Sequence, residues 1–272
     1  MNAREAAFWT NARHILHFIG ICGAGKTTLS RRLAERCRAN GGRTASTLDW
    51  DPHLPDEECL RERAFRRDLD IALIANPTDE GVHRQIVAHS LDVVDGWRQS
   101  DINLAVVDRF VESYDHLPAE AVLEIHNAMV ASGFTVTNIL LVVGGRTVDQ
   151  PSAIRPRMLH TKAHRPEEWW NSGPATADKW AEEEARCQTC YRAYCRESPF
   201  ETIIVDTTMM HWGWYEGQIA RQLIDPSSIR QRLCHQPVIK RIYAEAKTKE
   251  RDEGEAKKTN RRSDEPREKT TL

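Results

Sequence analysis

Gly20-Ile21-Cys22-Gly23-Ala24-Gly25-Lys26-Thr27 spells G-x-x-x-x-G-K-T, and this run decides the fold. Glycine suits a turn that needs positive φ and close backbone approach. Successive N–H groups in such a turn form a concavity for an anion. The N-terminus of a following helix adds unpaired donors and a positive dipole end. Lys26 would reach the β- and γ-phosphates of a triphosphate, and Thr27 would ligate Mg²⁺ through its hydroxyl. The loop residues Gly20, Ile21, Cys22, Gly23, Ala24, Gly25, Lys26, Thr27 and Thr28 are therefore expected to bind ATP.

The flanks fit a phosphate-binding loop (P-loop). His14-Ile15-Leu16-His17-Phe18-Ile19 reads as a short buried strand. Lys26 to Asn40 reads as a helix, with Leu29, Leu33 and Cys37 at i, i+4, i+8 and Arg31, Arg32, Glu35 and Arg36 largely off that stripe. Gly41-Gly42 supplies the expected stop.

Outward from there, five strand-like runs alternate with helical stretches: Ile15–Ile19, Arg43–Leu48, Ile102–Val107, Ile139–Val143 and Thr202–Val205. Their apolar, β-branched character fits strands buried on both faces. The alternation predicts an α/β P-loop NTPase fold, a five-stranded parallel sheet flanked by helices. The expected division is a kinase-like domain over 1–226 with a lid insertion at about 145–186. An amphipathic helix over 227–246 follows, with Ile229, Leu233, Ile239 and Ile242 as its contacts, and then a charged tail over 247–272. That tail lacks the apolar surface needed to offset its ordering entropy.

Composition bounds the class. The chain has 272 residues and a formal net charge of −2, so no global field selects a partner. No apolar run approaches the ~20 residues of a membrane span, and Met1 to Thr10 shows no secretory h-region. Seven scattered cysteines read as reduced thiols, and a cytoplasmic location is expected.

Leu104-Ala105-Val106-Val107-Asp108 is an apolar strand ending in a carboxylate. Such a residue would sit at the sheet's carboxyl edge, beside the Mg²⁺ held by Thr27. The continuation, Asp108-Arg109-Phe110-Val111-Glu112-Ser113, resembles the D-R-[Y/F/S]-x-x-S signature of thymidylate kinases and their deoxynucleoside kinase relatives. Ile203-Ile204-Val205-Asp206-Thr207-Thr208 is similar to that family's fifth strand and adenine-contacting turn. The resemblance spans about Ile15 to Asp225. It implies that Arg109 contacts the acceptor and that Asp206 and Thr207 lie near the base of ATP. Two segments that shape the family's acceptor pocket differ here: Leu48-Asp49-Trp50-Asp51-Pro52 and Tyr114-Asp115-His116-Leu117-Pro118.

Asp49 and Asp51 are the candidate bases. Alternate residues of an extended segment share a face, and phosphorylating a hydroxyl benefits from a carboxylate that takes its proton. Which of the two acts stays open. Trp50 and Phe110 flank the expected acceptor site, where an aromatic face can stack on a base.

Between the fourth strand and Cys187 the chain reads as irregular and polar, interrupted by Pro151, Pro156 and Pro166. Its basic residues include Arg146, Lys162, His164 and Arg165. Arg155 and Arg157 are the lid residues expected to act on the transferring phosphoryl group. Cys187-Gln188-Thr189-Cys190 and Cys195 lie on a helix expected over Ala181 to Arg196. They read as packing residues, because a structural zinc site usually draws two paired ligand sets. Trp169-Trp170, Trp212 and Trp214 read as anchors of the lid and last helix.

These features predict a Mg·ATP-dependent kinase that moves the γ-phosphate to a hydroxyl, or a phosphate, of a nucleoside- or nucleotide-type acceptor. Two alternatives stay open. One is a nucleic acid kinase acting on polynucleotide ends or on hydroxymethylated bases in DNA, with the lid, the Arg61–Arg67 stretch and the charged tail tracking a backbone. The other is an NTP-hydrolysing switch. The expected partner is a small molecule, with no membrane; a homodimer is also open.

Overall fold

His14–Gly20 forms β1, buried from Ile15 onward. The computed structural model describes residues 3–47, 65, 68–69, 71–73, 75–108, 117–145, 150–163 and 176–225, with the side chains of Thr47 and Asp108 excepted. In it β1 pairs in parallel with β3 (Leu104–Asp108) on one side and β4 (Thr135–Val142) on the other. β2 (Thr44–Thr47) adds outside β3, and β5 (Glu201–Asp206) outside β4. The order is β2-β3-β1-β4-β5, all parallel. With its flanking helices this is an α/β P-loop fold. The chain leaves β1 toward β2 and leaves β4 toward β5, in opposite directions. Such a switch point opens a crevice at the carboxyl edge of a parallel sheet.

The helices are α1 (Ala3–Asn11), α2 (Lys26–Ala39), α3 (Glu80–Gln99), α4 (Ala119–Ala131), α5 (Gln150–Ala163), α6 (Ala177–Glu197) and α7 (Trp212–Ile224). Strand alternation puts Ile15, His17 and Ile19 on one face of the sheet. Ile15 joins a core with Ile86 and Trp97 of α3 and Ile125 and Met129 of α4. Ile19 packs with Leu140, Val142 and Cys195, the last from α6. Leu16 and Phe18 point the other way. α2 packs on β1 and β3 but joins neither cluster, and so covers that second face. Its Leu29 and Leu33 are fully buried, each worth about 1.5–3 kcal/mol.

The strand boundaries match the expected runs to within one or two residues, except at β4, which begins four residues early. Thr137 and Asn138 are polar and break the apolar strand signature, yet both are buried. Asn138 Oδ1 lies 3.2 Å from His17 Nδ1 on the neighbouring strand, and Asn138 Nδ2 donates to Ser198 Oγ at 3.0 Å. Mutual hydrogen bonding lets both polar side chains enter the core. α1 was not anticipated. Arg36 on α2 ties it in, donating to Glu5 of α1 and Glu216 of α7. The Arg36 hydrogen bond holds the Glu5 carboxyl below its usual range. The residues expected to form a helix at 227–246 and a tail at 247–272 lie outside the described residues.

A second buried polar pair lies under α6: His126 Nε2 is 2.8 Å from the Tyr194 hydroxyl. Burial, reinforced by the nearby His17, pushes His126 down to about 4, so it is buried neutral. Burial also lowers His14 to about 4. The unfolded chain then binds these protons first, between about pH 6.5 and 4. Stability is expected to be full above pH 6.5 and to fall as pH drops toward 4. His126→Gln should flatten part of that fall in denaturant titrations; an unchanged slope would show that His126 is not its source.

Candidate functional site

The glycine loop starts where β1 ends, with Gly20 opposite Leu141 of β4. Ala24 N donates to Ile21 O at 3.2 Å and tightens the turn. Gly25 is the N-cap of α2, left-handed at φ 95°, ψ 20°, and provides no side-chain cap. That conformation is costly for any residue with a Cβ. Packing imposes the same choice. A Cβ at Gly25 would stand 2.3 Å from the Trp212 ring, and one at Gly23 2.5 Å from Thr161 Oγ1. The loop is therefore walled by α7 on one side and α5 on another.

Lys26 is buried, and its ammonium donates to Gly20 O at 2.6 Å and Ile21 O at 3.1 Å. Its charge is thus folded back over the loop. Thr27 is part-buried and Thr28 exposed. An uncapped helix N-terminus, a cradle that any Cβ would fill and a buried ammonium together fit the phosphates of a nucleotide. Asp108 closes β3 opposite Phe18, at the same edge of the sheet as the loop; its side chain lies outside the described residues.

The segment after β4 departs from expectation. It is helical at Gln150–Ala163 and again from Ala177, not irregular. Ile154, Arg157, Met158 and Thr161 form the buried face of α5, at helical spacing. Pro156 sits inside that helix and removes a donor, but the packed face holds it. The pattern was hidden because two of its four core positions are Arg and Thr. α6 starts at Ala177, four residues earlier than expected, where the Thr176 hydroxyl accepts from Lys179 N at 3.3 Å.

Arg157 and Arg155 have different fates. Arg157 is 5% exposed and donates to Gly23 O at 3.5 Å and to Thr207 O. Its guanidinium lies 5.3 Å from the Trp212 ring centroid. Burial lowers its pKa, opposed by Tyr215 and Asp206, and an arginine stays charged through such a shift. Arg157 thereby links α5, the loop and the turn after β5. Arg155 is exposed and pairs with Asp178 at the start of α6. Both residues lie within the segment expected to form the lid, and Asp178 occupies the guanidinium expected to act on the phosphoryl group.

α6 contributes a stripe that sequence reading missed. Glu184, Gln188 and Arg192 recur at i, i+4, i+8, and each binds backbone at the sheet's carboxyl edge. Glu184 Oε2 accepts from Cys22 N at 3.0 Å. Gln188 is fully buried; it accepts from Val143 N at 2.7 Å and donates to Val143 O at 2.9 Å, so its amide continues the end of β4 like another strand. Arg192 donates to Gly145 O at 2.7 Å. Burial lowers the Arg192 pKa, and Asp206 opposes that. The four-residue period was legible, but nothing in the sequence indicated that backbone was its partner.

Asp206 ends β5 and accepts from Thr208 N at 3.0 Å, and Thr207 is fully buried with its N–H on Val142 O at 2.8 Å. The structure thus gathers the Gly20–Thr28 loop, Arg157 and the Asp206-Thr207 turn along one edge of the sheet. Asp49, Trp50, Asp51, Arg109, Phe110, Tyr114, Arg146, His164 and Trp169-Trp170 lie outside the described residues, as does most of the Arg61–Arg67 stretch. Cys187 is part-buried, Cys190 exposed and Cys195 buried. Among the described residues no helix is long and apolar enough to cross a membrane, and no three metal-ligating side chains cluster.

No protein-family model and no curated protein matches the chain. Several solved structures are similar to it at low identity. Shikimate kinase from Acinetobacter baumannii, in complex with shikimate, is 15% identical with a TM-score of 0.44, covering 80% of this chain and 96% of its own. YorR from Bacillus subtilis, in complex with phosphorylated GDP, is 14% identical with a TM-score of 0.43, covering 81% and 99%. A gluconokinase from Sinorhizobium meliloti 1021 is 12% identical with a TM-score of 0.42, covering 83% and 99%.

Gln188→Leu should strand the buried N–H and C=O of Val143. The expected loss is about 2–4 kcal/mol of stability, read as a lower denaturation midpoint. A loss below about 0.5 kcal/mol would show that the amide bridge carries little.

Proposed function

We propose that the chain is a Mg·ATP-dependent phosphotransferase that moves the γ-phosphoryl group to a hydroxyl of a nucleoside- or nucleotide-type acceptor. The observation that carries this reading is the loop after the central strand: left-handed Gly25 at an uncapped helix N-terminus, with buried Lys26 beside it. In this reading the loop amides and Lys26 hold the phosphates, with Thr27 and Asp108 as the metal ligands. Mg²⁺, when bound, offsets charge on the phosphate oxygens.

The transfer breaks the bond from the γ-phosphorus to its bridging oxygen and forms one to the acceptor oxygen; ADP leaves. The acceptor's proton passes to Asp49 or Asp51. Arg109 orients the acceptor with a bidentate fork. Arg157 holds the loop's Gly23 carbonyl and the Thr207 carbonyl in fixed relation. It is therefore a positioning residue in this scheme, and the nearby Asp206-Thr207 turn faces the base.

The test is incubation with Mg·ATP and a panel of nucleosides and nucleotides, including deoxythymidine and its monophosphate, following γ-phosphate transfer. Transfer to at least one acceptor is expected, and its absence across the panel would count against the reading. Lys26→Ala should abolish turnover, a loss of several kcal/mol of transition-state stabilisation. Asp49→Asn should lower kcat while leaving ATP binding intact; a wild-type rate would remove Asp49 from the role of base.

A further inference from the structure

Glu184 is the unexplained residue of the site. A carboxylate on α6 accepts a hydrogen bond from a P-loop amide, Cys22 N, at 3.0 Å. Its other oxygen accepts from Trp180 Nε1 at 3.3 Å. The helix that carries it is fixed by Gln188 and Arg192, four and eight residues on, so the carboxylate has little freedom to withdraw. Consecutive Cα atoms are about 3.8 Å apart. Gly25 and Lys26 stand three and four residues past Cys22, so a phosphate held by their amides would lie on the order of 10 Å from this negative charge, near one Debye length. A glutamine would satisfy Cys22 N equally well. A formal anion beside an anion site costs affinity, and that cost rises with the charge of the ligand.

We propose that Glu184 is a charge-selecting residue of the phosphate site, disfavouring free triphosphate relative to its magnesium complex. The proposal rests on the reading of the loop as a nucleotide site. Lys26 and Arg157 bring two cations to the loop, and alone they would favour the most highly charged ligand. Glu184 offsets part of that pull. Mg²⁺ cancels two of the nucleotide's negative charges, so the complex meets less repulsion than the free form.

The experiment is isothermal titration of the full chain and of Glu184→Gln and Glu184→Ala with ATP, in EDTA and in excess Mg²⁺. Melting temperatures without ligand establish that each variant is folded. Both variants should bind free ATP about tenfold tighter than wild type and the magnesium complex only about threefold tighter. Added salt should narrow the difference. A merely structural hydrogen bond predicts otherwise: Glu184→Gln unchanged, Glu184→Ala weaker, and no difference between the two nucleotide forms. That pattern, with wild type binding normally, would overturn the charge-selecting role alone. Failure of the folded wild type to bind either form would overturn the nucleotide reading and this proposal together.

Discussion

The site depends on a backbone loop with no room for a side chain at Gly23 or Gly25. Gly25 must be left-handed, and both Gly23 and Gly25 are pressed by neighbours where a Cβ would sit. Trp212 and Thr161 thus restrict the same atoms that the left-handed turn already restricts. Such double constraint leaves little freedom for the loop to relax into another shape. The turn and the start of α2, which has no side-chain cap, together fit an anion. Placing that loop after the central strand does the rest, because connections from β1 and β4 diverge there and open the crevice.

Around the loop, polar side chains hold backbone in place of direct strand pairing. Gln188 completes the end of β4, Arg192 holds Gly145, and Arg157 spans from Gly23 to Thr207. Hydrogen bonds to carbonyls from charged guanidinium groups are strong and directional. They couple α5 and α6 to the loop rather than leaving them to pack by apolar contact alone. Farther down the same face, His17–Asn138–Ser198 and His126–Tyr194 repeat the device inside the core. Each pair is satisfied internally, which is what permits burial.

The central architecture was legible because its signals are local. A buried strand, a glycine run and a helix with apolar residues every four positions need no distant partner to be read. The five strands followed from β-branched apolar runs, and the parallel sheet from their alternation with helices. What escaped was tertiary. Asn138 reads as loop until His17 and Ser198 are brought beside it. α5 reads as irregular because Arg157 and Thr161 occupy core positions and Pro156 interrupts the pattern. Trp212 was expected to anchor the last helix, yet its ring also lies against Gly25 of the loop. Glu184 carries no motif, and its partner is an amide 162 residues away.

When this loop receives a triphosphate, Lys26 is expected to turn from the loop carbonyls to meet it. The most direct measurement is a crystal structure with Mg²⁺ and a non-hydrolysable ATP analogue. Phosphate density is expected against the amides from Gly23 to Thr27, with Lys26 Nζ released from Gly20 O and Ile21 O and bonded to phosphate oxygen. Analogue bound elsewhere, with Lys26 still on those two carbonyls, would contradict it.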